Sequence, residues 1–345
     1  RVARPALAFA VRTATAAAAH RRGQAAAALE PLREAFAIGR EQGFHHVPAW
    51  QPRPLADLCV LALREKIEPE FARTLARACK LAPSQLPFRV TDWPWPLRVR
   101  SFGAFQLLRA EGAVEFAGKG PGRPMELLKV LLALGGSGVR AEQVADALWP
   151  HVDADYAHNS LTATLHRLRK LLGAEDALLL RDGRLTLNPA LVWADAWALD
   201  QVLGDFDAAL RAPQPDAEAL RELEAEAFAL YRGPFLPDES EQASYIACRE
   251  QVRAKLLRCL TRVARRHEEA GEREAAADCY LRLIESDPVF EAPYRNLMLC
   301  YQRSGEVAEA TATYERLRTT LAARLKSNPS AETQAVLAEL KSAGP

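Results

Sequence analysis

Between residues 155 and 172, Leu161, Leu165, Leu168 and Leu172 recur at steps of four, three and four. That spacing puts the leucines on one face of an α-helix and predicts that this face is core. Asn159, Thr162, Ala163, His166, Arg167, Arg169 and Lys170 are left on or near the outer faces. The chemistry these types can do is recognition: polar side chains hydrogen-bond base edges, and arginine and lysine hold guanine edges or phosphates. A helix of this kind fits the major groove of DNA. Arg181 and Arg184, on the two sides of Asp182-Gly183, could contact an adjacent minor groove or its phosphates. Taken alone, Arg167, Arg169 and Lys170 serve equally well as solvated charges that balance the helix dipole at its C-terminal end. The fold around the helix decides between the two.

Other chemistries lack a matching set of residues. The six cysteines (Cys59, Cys79, Cys248, Cys259, Cys279, Cys300) never occur as CxxC and have no nearby histidine at zinc spacing, so they are expected to be buried, reduced thiols. His158 and His166 lack a third ligand. There is no nucleophile elbow and no pair of carboxylates in an apolar setting, so neither an enzyme nor a cofactor is expected. GxxxxGK[ST] is missing, and Gly118-Lys119-Gly120 lacks the spacing to cradle phosphates. No apolar run reaches the roughly 20 residues of a membrane span and no signal peptide is apparent, which predicts a cytoplasmic protein.

The elements that must position the outward face can be read from periodicity. At 345 residues and 49% apolar composition the chain can bury more than one core. Residues 6–42 read as two helices around Gly23, with Leu29, Leu32 and Phe36 in one stripe. Pro48, Pro52 and Pro54 break the pattern before short helices at 55–64 and 69–80. Four prolines between Pro83 and Pro96 predict an extended linker, open to proteases near Trp93. After Pro96 the pattern alternates through Leu97, Val99, Phe102, Phe105, Leu107, Val114 and Phe116, which predicts short strands. Helices follow at 123–135, 141–149 and 155–172, the last capped by Gly173. Strands at 177–181 and 184–187 then flank Asp182-Gly183, a two-residue hairpin signal. Strands, three helices and a hairpin are the layout of a winged helix with an N-terminal sheet.

From about 198 onward the chain reads as helical again. Gly271 and Gly305, Ala276 and Ala310, and Tyr280 and Tyr314 are each 34 residues apart, the tetratricopeptide period. A more degenerate repeat is expected over 218–250, and a last helix with Asn328 as N-cap and Pro329 in its first turn. The fold class expected is therefore mainly α, with a small α+β winged-helix domain and helical tetratricopeptide-like repeats on both sides. The expected domains are 1–82, a linker at 83–96, a winged helix at 97–195 and a helical-repeat module at 198–342.

Leu97-Arg-Val-Arg-Ser-Phe-Gly103, Arg123-Pro-Met-Glu-Leu-Leu128, Ala147-Leu-Trp-Pro150 and Leu165-His-Arg-Leu-Arg-Lys-Leu-Leu-Gly173 together resemble the response-regulator-type winged helix of the antibiotic regulatory (SARP) family. Tyr231-Arg-Gly-Pro-Phe-Leu236 and the repeats behind it are similar to that family's bacterial transcriptional activator domain. The upstream segment resembles the tail of the repeats that separate a signalling ATPase from such a DNA-binding end in maltose-regulator-type activators. Since the chain opens at Arg1 within a helical pattern, it is expected to be part of a longer protein whose ATPase would precede Arg1. By the family motif, Asn159, Thr162, Ala163, His166 and Arg167 would face bases, and Arg169 and Lys170 phosphates. The resemblance implies double-stranded DNA as partner, RNA polymerase at the loop Pro150–Ala154, a protein or peptide at the repeats, and assembly of copies on DNA. Two features depart from the pattern: residues 97–200 carry twelve Lys/Arg against twelve Asp/Glu, and the wing is short and lacks an aromatic residue. That neutrality keeps a repeat-based protein adaptor as the alternative.

Overall fold

The computed structural model describes residues 3–44, 51–109, 112–114, 122–239 and 242–342. Pro48, Phe116 and Gly118-Lys119-Gly120 lie outside them. The architecture is mainly helical with two small sheets.

α1 (Ala3–Arg21) and α2 (Ala25–Gln42) form the helix pair expected around Gly23, and α3 (Pro52–Arg64) and α4 (Pro69–Ala78) each start on a proline. Phe9, Phe36 and Phe71 join α1, α2 and α4, with Phe36 and Phe71 edge-to-face at 5.3 Å. Gly39 sits where a Cβ would come within 2.4 Å of Phe71 Cζ, so only glycine lets α4 approach this closely.

The proline-rich segment that follows is not the free extended linker that its composition predicts. Trp93 and Trp95 are each only 4% exposed. Phe88 stacks on Trp95 at 5.7 Å, and its carbonyl accepts from the Trp193 indole N–H at 2.8 Å. Arg89 donates to both carboxylate oxygens of Glu226 and to Asp205, each at 2.8 Å. The prolines do prevent helix formation, but the aromatic rings between them find a core.

β1 (Leu97–Arg100), β2 (Gln106–Arg109) and β3 (Gly112–Ala113) form an antiparallel meander. Phe102 is not a strand residue; it makes an isolated bridge to Phe235, far along the chain. α5 (Gly122–Ala133), β4 (Val139–Arg140), α6 (Ala141–Leu148) and α7 (Ala154–Leu172) come next. β5 (Leu178–Arg181) and β6 (Arg184–Leu187) form the expected hairpin, and β4 adds to it in the order β4-β6-β5. β7 (Val192–Ala194) returns to lie parallel to β1, which completes a four-stranded sheet of order β3-β2-β1-β7.

The chain continues as α8 (Asp195–Arg211), α9 (Ala217–Leu230), α10 (Ala243–Glu269), α11 (Arg273–Ser286), α12 (Glu291–Arg303), α13 (Val307–Leu325) and α14 (Ala331–Ser342). The 34-residue spacing recurs in the backbone. Gly271 and Gly305 have φ of 79° and 78°, and the N–H of the residue after each donates at 2.8 Å to the carbonyl five residues back. Ala276 and Ala310 are both fully buried, and Tyr280 and Tyr314 are 1% and 8% exposed. The earlier stretch 218–250 departs from this unit, because α10 runs unbroken for 27 residues.

The last helix also begins later than expected. Ser330, not Asn328, stands before it, and the Ser330 hydroxyl accepts from the Thr333 N–H at 3.4 Å. Glu291 fixes this start, since its carboxylate accepts from the Ser330 N–H and hydroxyl and from the Thr333 hydroxyl.

Among the described residues no helix is long and apolar enough to cross a membrane, and no group of three or more potential metal ligands occurs. Cys59, Cys259, Cys279 and Cys300 are buried, and Cys79 and Cys248 partly so. Burial pushes the Cys248, Cys259 and Cys300 thiols up to about 11 and Cys279 to about 12, which keeps them protonated and poor nucleophiles at neutral pH.

Candidate nucleic-acid interface

α7 is fixed at both ends and along one side. Asp153 caps it, its carboxylate accepting from the Tyr156 N–H at 2.8 Å, and Gly173 ends it in the left-handed conformation at φ 70°. Leu161, Leu165, Leu168 and Leu172 are at most 3% exposed. The Arg109 guanidinium of β2 donates to the Leu171 carbonyl, which ties the helix end to the N-terminal sheet.

With the leucines buried, Asn159, Thr162, Ala163, His166, Arg167 and Lys170 all stand exposed. Arg169 is different. It is half-buried, and its Nε donates to the Leu178 carbonyl of β5 at 3.0 Å, so part of this guanidinium is spent on holding the hairpin to the helix.

The hairpin turns through Asp182 at φ 49° and Gly183 at φ 70°, the two successive left-handed residues of a type I′ turn. Arg181 and Arg184 face each other across this turn and are exposed. Arg184 also donates to the Gly138 carbonyl at 2.8 Å, and the Gly183 carbonyl accepts from the Ala141 N–H at 2.8 Å. The turn is thereby fastened to the start of α6.

Three exposed apolar side chains in this region escaped sequence reasoning: Val152, Tyr156 and Leu180, at 43%, 58% and 45% exposure. Tyr156 precedes Asn159 by three residues and Ala163 by seven, a spacing that places it on the same helix face. Strand alternation gave no signal for Leu180, since it puts Leu180 on the same face as the buried Leu178. Trp149 packs at the edge of the core under the Arg123 guanidinium, 5.8 Å from its ring centre, as a structural residue.

The winged helix is joined to the helices behind it by a continuous buried contact. Asp195 is 3% exposed and begins α8; its carboxylate accepts from the Ser101 N–H at 2.7 Å, the Ser101 hydroxyl at 2.6 Å and the Phe102 N–H at 3.0 Å. Desolvation raises its pKa, against the downward pull of these hydrogen bonds. The segment Tyr231–Leu236 lies against the same strand end. Gly103 donates to the Pro234 carbonyl at 3.0 Å and Leu236 to the Ser101 carbonyl at 2.8 Å. A Cβ on Gly233, which sits at φ 153°, would come within 3.4 Å of the Gly103 Cα, so two glycine backbones meet here. Behind them the Tyr231 hydroxyl donates to the fully buried Asp287 at 3.0 Å, and Arg253 donates to both oxygens of that carboxylate at 2.7 and 3.1 Å. Lys129 of α5 pairs with Glu239, and Gln242 donates to the Ala147 carbonyl at 2.5 Å.

Residues 194–341 match the Bacterial transcriptional activator domain family. That range opens on the last residue of β7 and the buried Asp195, so it includes the half of the junction contributed by α8. No curated protein matches the chain. Among solved structures the chain is similar to EmbR of Mycobacterium tuberculosis, solved in complex with a low-affinity phosphopeptide. The identity is 21% and the TM-score 0.46, over 72% of this chain and 66% of that one. The chain thus spans just under two thirds of the EmbR chain.

Proposed function

We propose that the chain is a sequence-specific, DNA-binding activator of transcription, in which α7 enters the major groove and the β5–β6 hairpin rests on the neighbouring backbone. The observation that carries the reading is the exposed row Asn159, Thr162, Ala163, His166, Arg167 and Lys170, opposite a fully buried leucine stripe on a helix capped at both ends. The match of residues 194–341 to a transcriptional activator domain supports it. In this reading Asn159, Thr162, Ala163, His166 and Arg167 meet base edges, Lys170 meets a phosphate, and Arg169 offers a phosphate only the part of its guanidinium not held by Leu178. Arg181 and Arg184 reach the adjacent minor groove. The reading involves no catalytic step and no cofactor, and places the protein in the cytoplasm.

One short recognition helix supplies limited specificity, so two or more copies bind repeated promoter sites. The loop Pro150–Ala154, with Val152 exposed beside the capping Asp153, meets RNA polymerase, and the repeats receive a protein or peptide partner. The segments 1–82, 83–96, 97–195 and 198–342 serve as helical tail, connector, DNA reader and activator module.

One observation favours a second reading, a protein adaptor without DNA binding: residues 97–200 carry equal numbers of acidic and basic side chains. Selection of bound duplexes from a random pool separates the two. A recovered repeat motif whose affinity falls steeply with salt supports DNA reading; no enrichment at any salt concentration supports the adaptor.

A further inference from the structure

A cleft of about 640 Å³ opens where four parts of the fold meet: the proline-rich segment at 85–88, the turn after α5, the end of β6, and the first turns of α8. Its walls are largely apolar, built from Leu86, Phe88, Leu187 and Trp197, with Asp200 and Gln201 at the rim. On the other side of Trp197 lies a second cavity of about 460 Å³, bounded by Leu132, Leu203 and Lys255. Gly135, Trp197 and Asp200 line both, so the indole is the partition between them.

This partition is held in place. The Trp197 N–H donates to the Gly135 carbonyl at 3.0 Å, and Phe88 leans on the indole at 5.5 Å with 58° between the rings. Phe88 is itself stacked on the buried Trp95. A Cβ on Gly136 would lie 2.6 Å from Trp197 Cζ2, so this glycine, at φ 76°, is what lets the indole seat against the turn. Two fixed aromatic faces at an open apolar wall suit a flat ring system, which stacks offset or edge-on. The polar rim is close to electroneutral, because Asp200 is already paired with Lys255. Apolar walls with a few rim polar groups, at a volume of several hundred Å³, are the usual make-up of a small-molecule site.

We propose that the cleft beside Trp197 binds a neutral, planar aromatic small molecule. The ligand's ring lies against the wall that the touching Phe88 and Trp197 rings form together, and the Asp200 carboxylate and Gln201 amide take a hydroxyl or amide edge. Such a ligand touches the winged-helix turn, α8 and the proline-rich segment at once. The proposal does not depend on DNA binding and is tested without DNA.

The probe is Nile red, a neutral planar dye, titrated into the whole chain while its emission and the quenching of tryptophan fluorescence are followed. The expected result is one saturable site, with dye emission and tryptophan quenching sharing one midpoint. Ser137 and Gln201 both line the cleft and are exposed, so Ser137→Phe and Gln201→Trp fill it from opposite sides without entering the core. At least one of these variants, with a thermal melt like wild type, should bind the dye tenfold more weakly or worse. Absence of saturable binding to wild type, or undiminished binding to both filled variants, overturns the proposal.

Discussion

Asp195, the first residue of α8, grips Ser101 at the end of β1 through both of its carboxylate oxygens, 94 residues away along the chain. This contact fixes how the N-terminal sheet sits on α8, and it has a thermodynamic consequence. Asp195→Ala leaves the buried N–H groups of Ser101 and Phe102 without an acceptor and should cost about 3 kcal/mol in urea unfolding. Asp195→Asn keeps an acceptor and removes the buried charge. Desolvation holds the Asp195 pKa above its unfolded value, so its stabilising contribution is complete below the ordinary carboxylate range and is lost as pH rises through the folded pKa. Wild type should therefore lose stability relative to Asp195→Asn as pH rises from that range upward. A difference between the two proteins that does not change with pH would contradict this.

Asp287 lies wholly buried between Tyr231 and Arg253, so the two partners should be unequal. Arg253→Ala strands a buried carboxylate and should cost about 3–5 kcal/mol. Tyr231→Phe removes one hydrogen bond to a charged acceptor and should cost about 1.5–3 kcal/mol. Chemical denaturation ranks the two, and a larger loss from Tyr231→Phe than from Arg253→Ala would contradict the arrangement.

Tyr280 and Tyr314 hold the same slot in successive 34-residue units, but Tyr280 belongs to the main core and Tyr314 to a small cluster with Met298, Ala310 and Leu340. Truncation to alanine should cost about 3–5 kcal/mol at Tyr280, with Tyr314 at the lower end of that range. Losses under about 1 kcal/mol at both, on a scale where core aromatic truncations cost several times more, would remove the equivalence.

The anchoring of residues 83–96 predicts the outcome of limited proteolysis. With Trp93 and Trp95 buried and Arg89 chelated by Glu226, the peptide bonds around Trp93 should survive. Rapid release of a fragment starting near Leu97 would show that this packing does not persist in solution.

Patterns that repeat within a few residues were legible in the sequence. The leucine steps gave α7 to within one residue, and Asp182-Gly183 marked a turn that needs two left-handed residues. β4 and β7 were not legible. Each is two or three residues long, too short for any period to show, and each pairs with a strand 44 to 95 residues away. The tight fit of Tyr231–Leu236 against Ser101–Gly103 is equally non-local. The site itself was half legible. Periodicity says which side chains of α7 point outward, but not that Arg169 turns back to the Leu178 carbonyl or that Tyr156 and Leu180 stand exposed beside the polar row.

The proposed reading of DNA by the exposed face of α7 is tested by titrating wild type, Arg167→Ala and Lys170→Ala against selected and scrambled duplexes at two salt concentrations. Both residues lie opposite the buried leucines, so neither change should unfold the protein. Arg167→Ala should cost about 1–3 kcal/mol on the selected duplex and relax preference at one base position. Lys170→Ala should weaken binding to all duplexes about equally and lower the salt slope by about one unit. Equal, salt-insensitive curves for all three proteins would contradict DNA reading by α7.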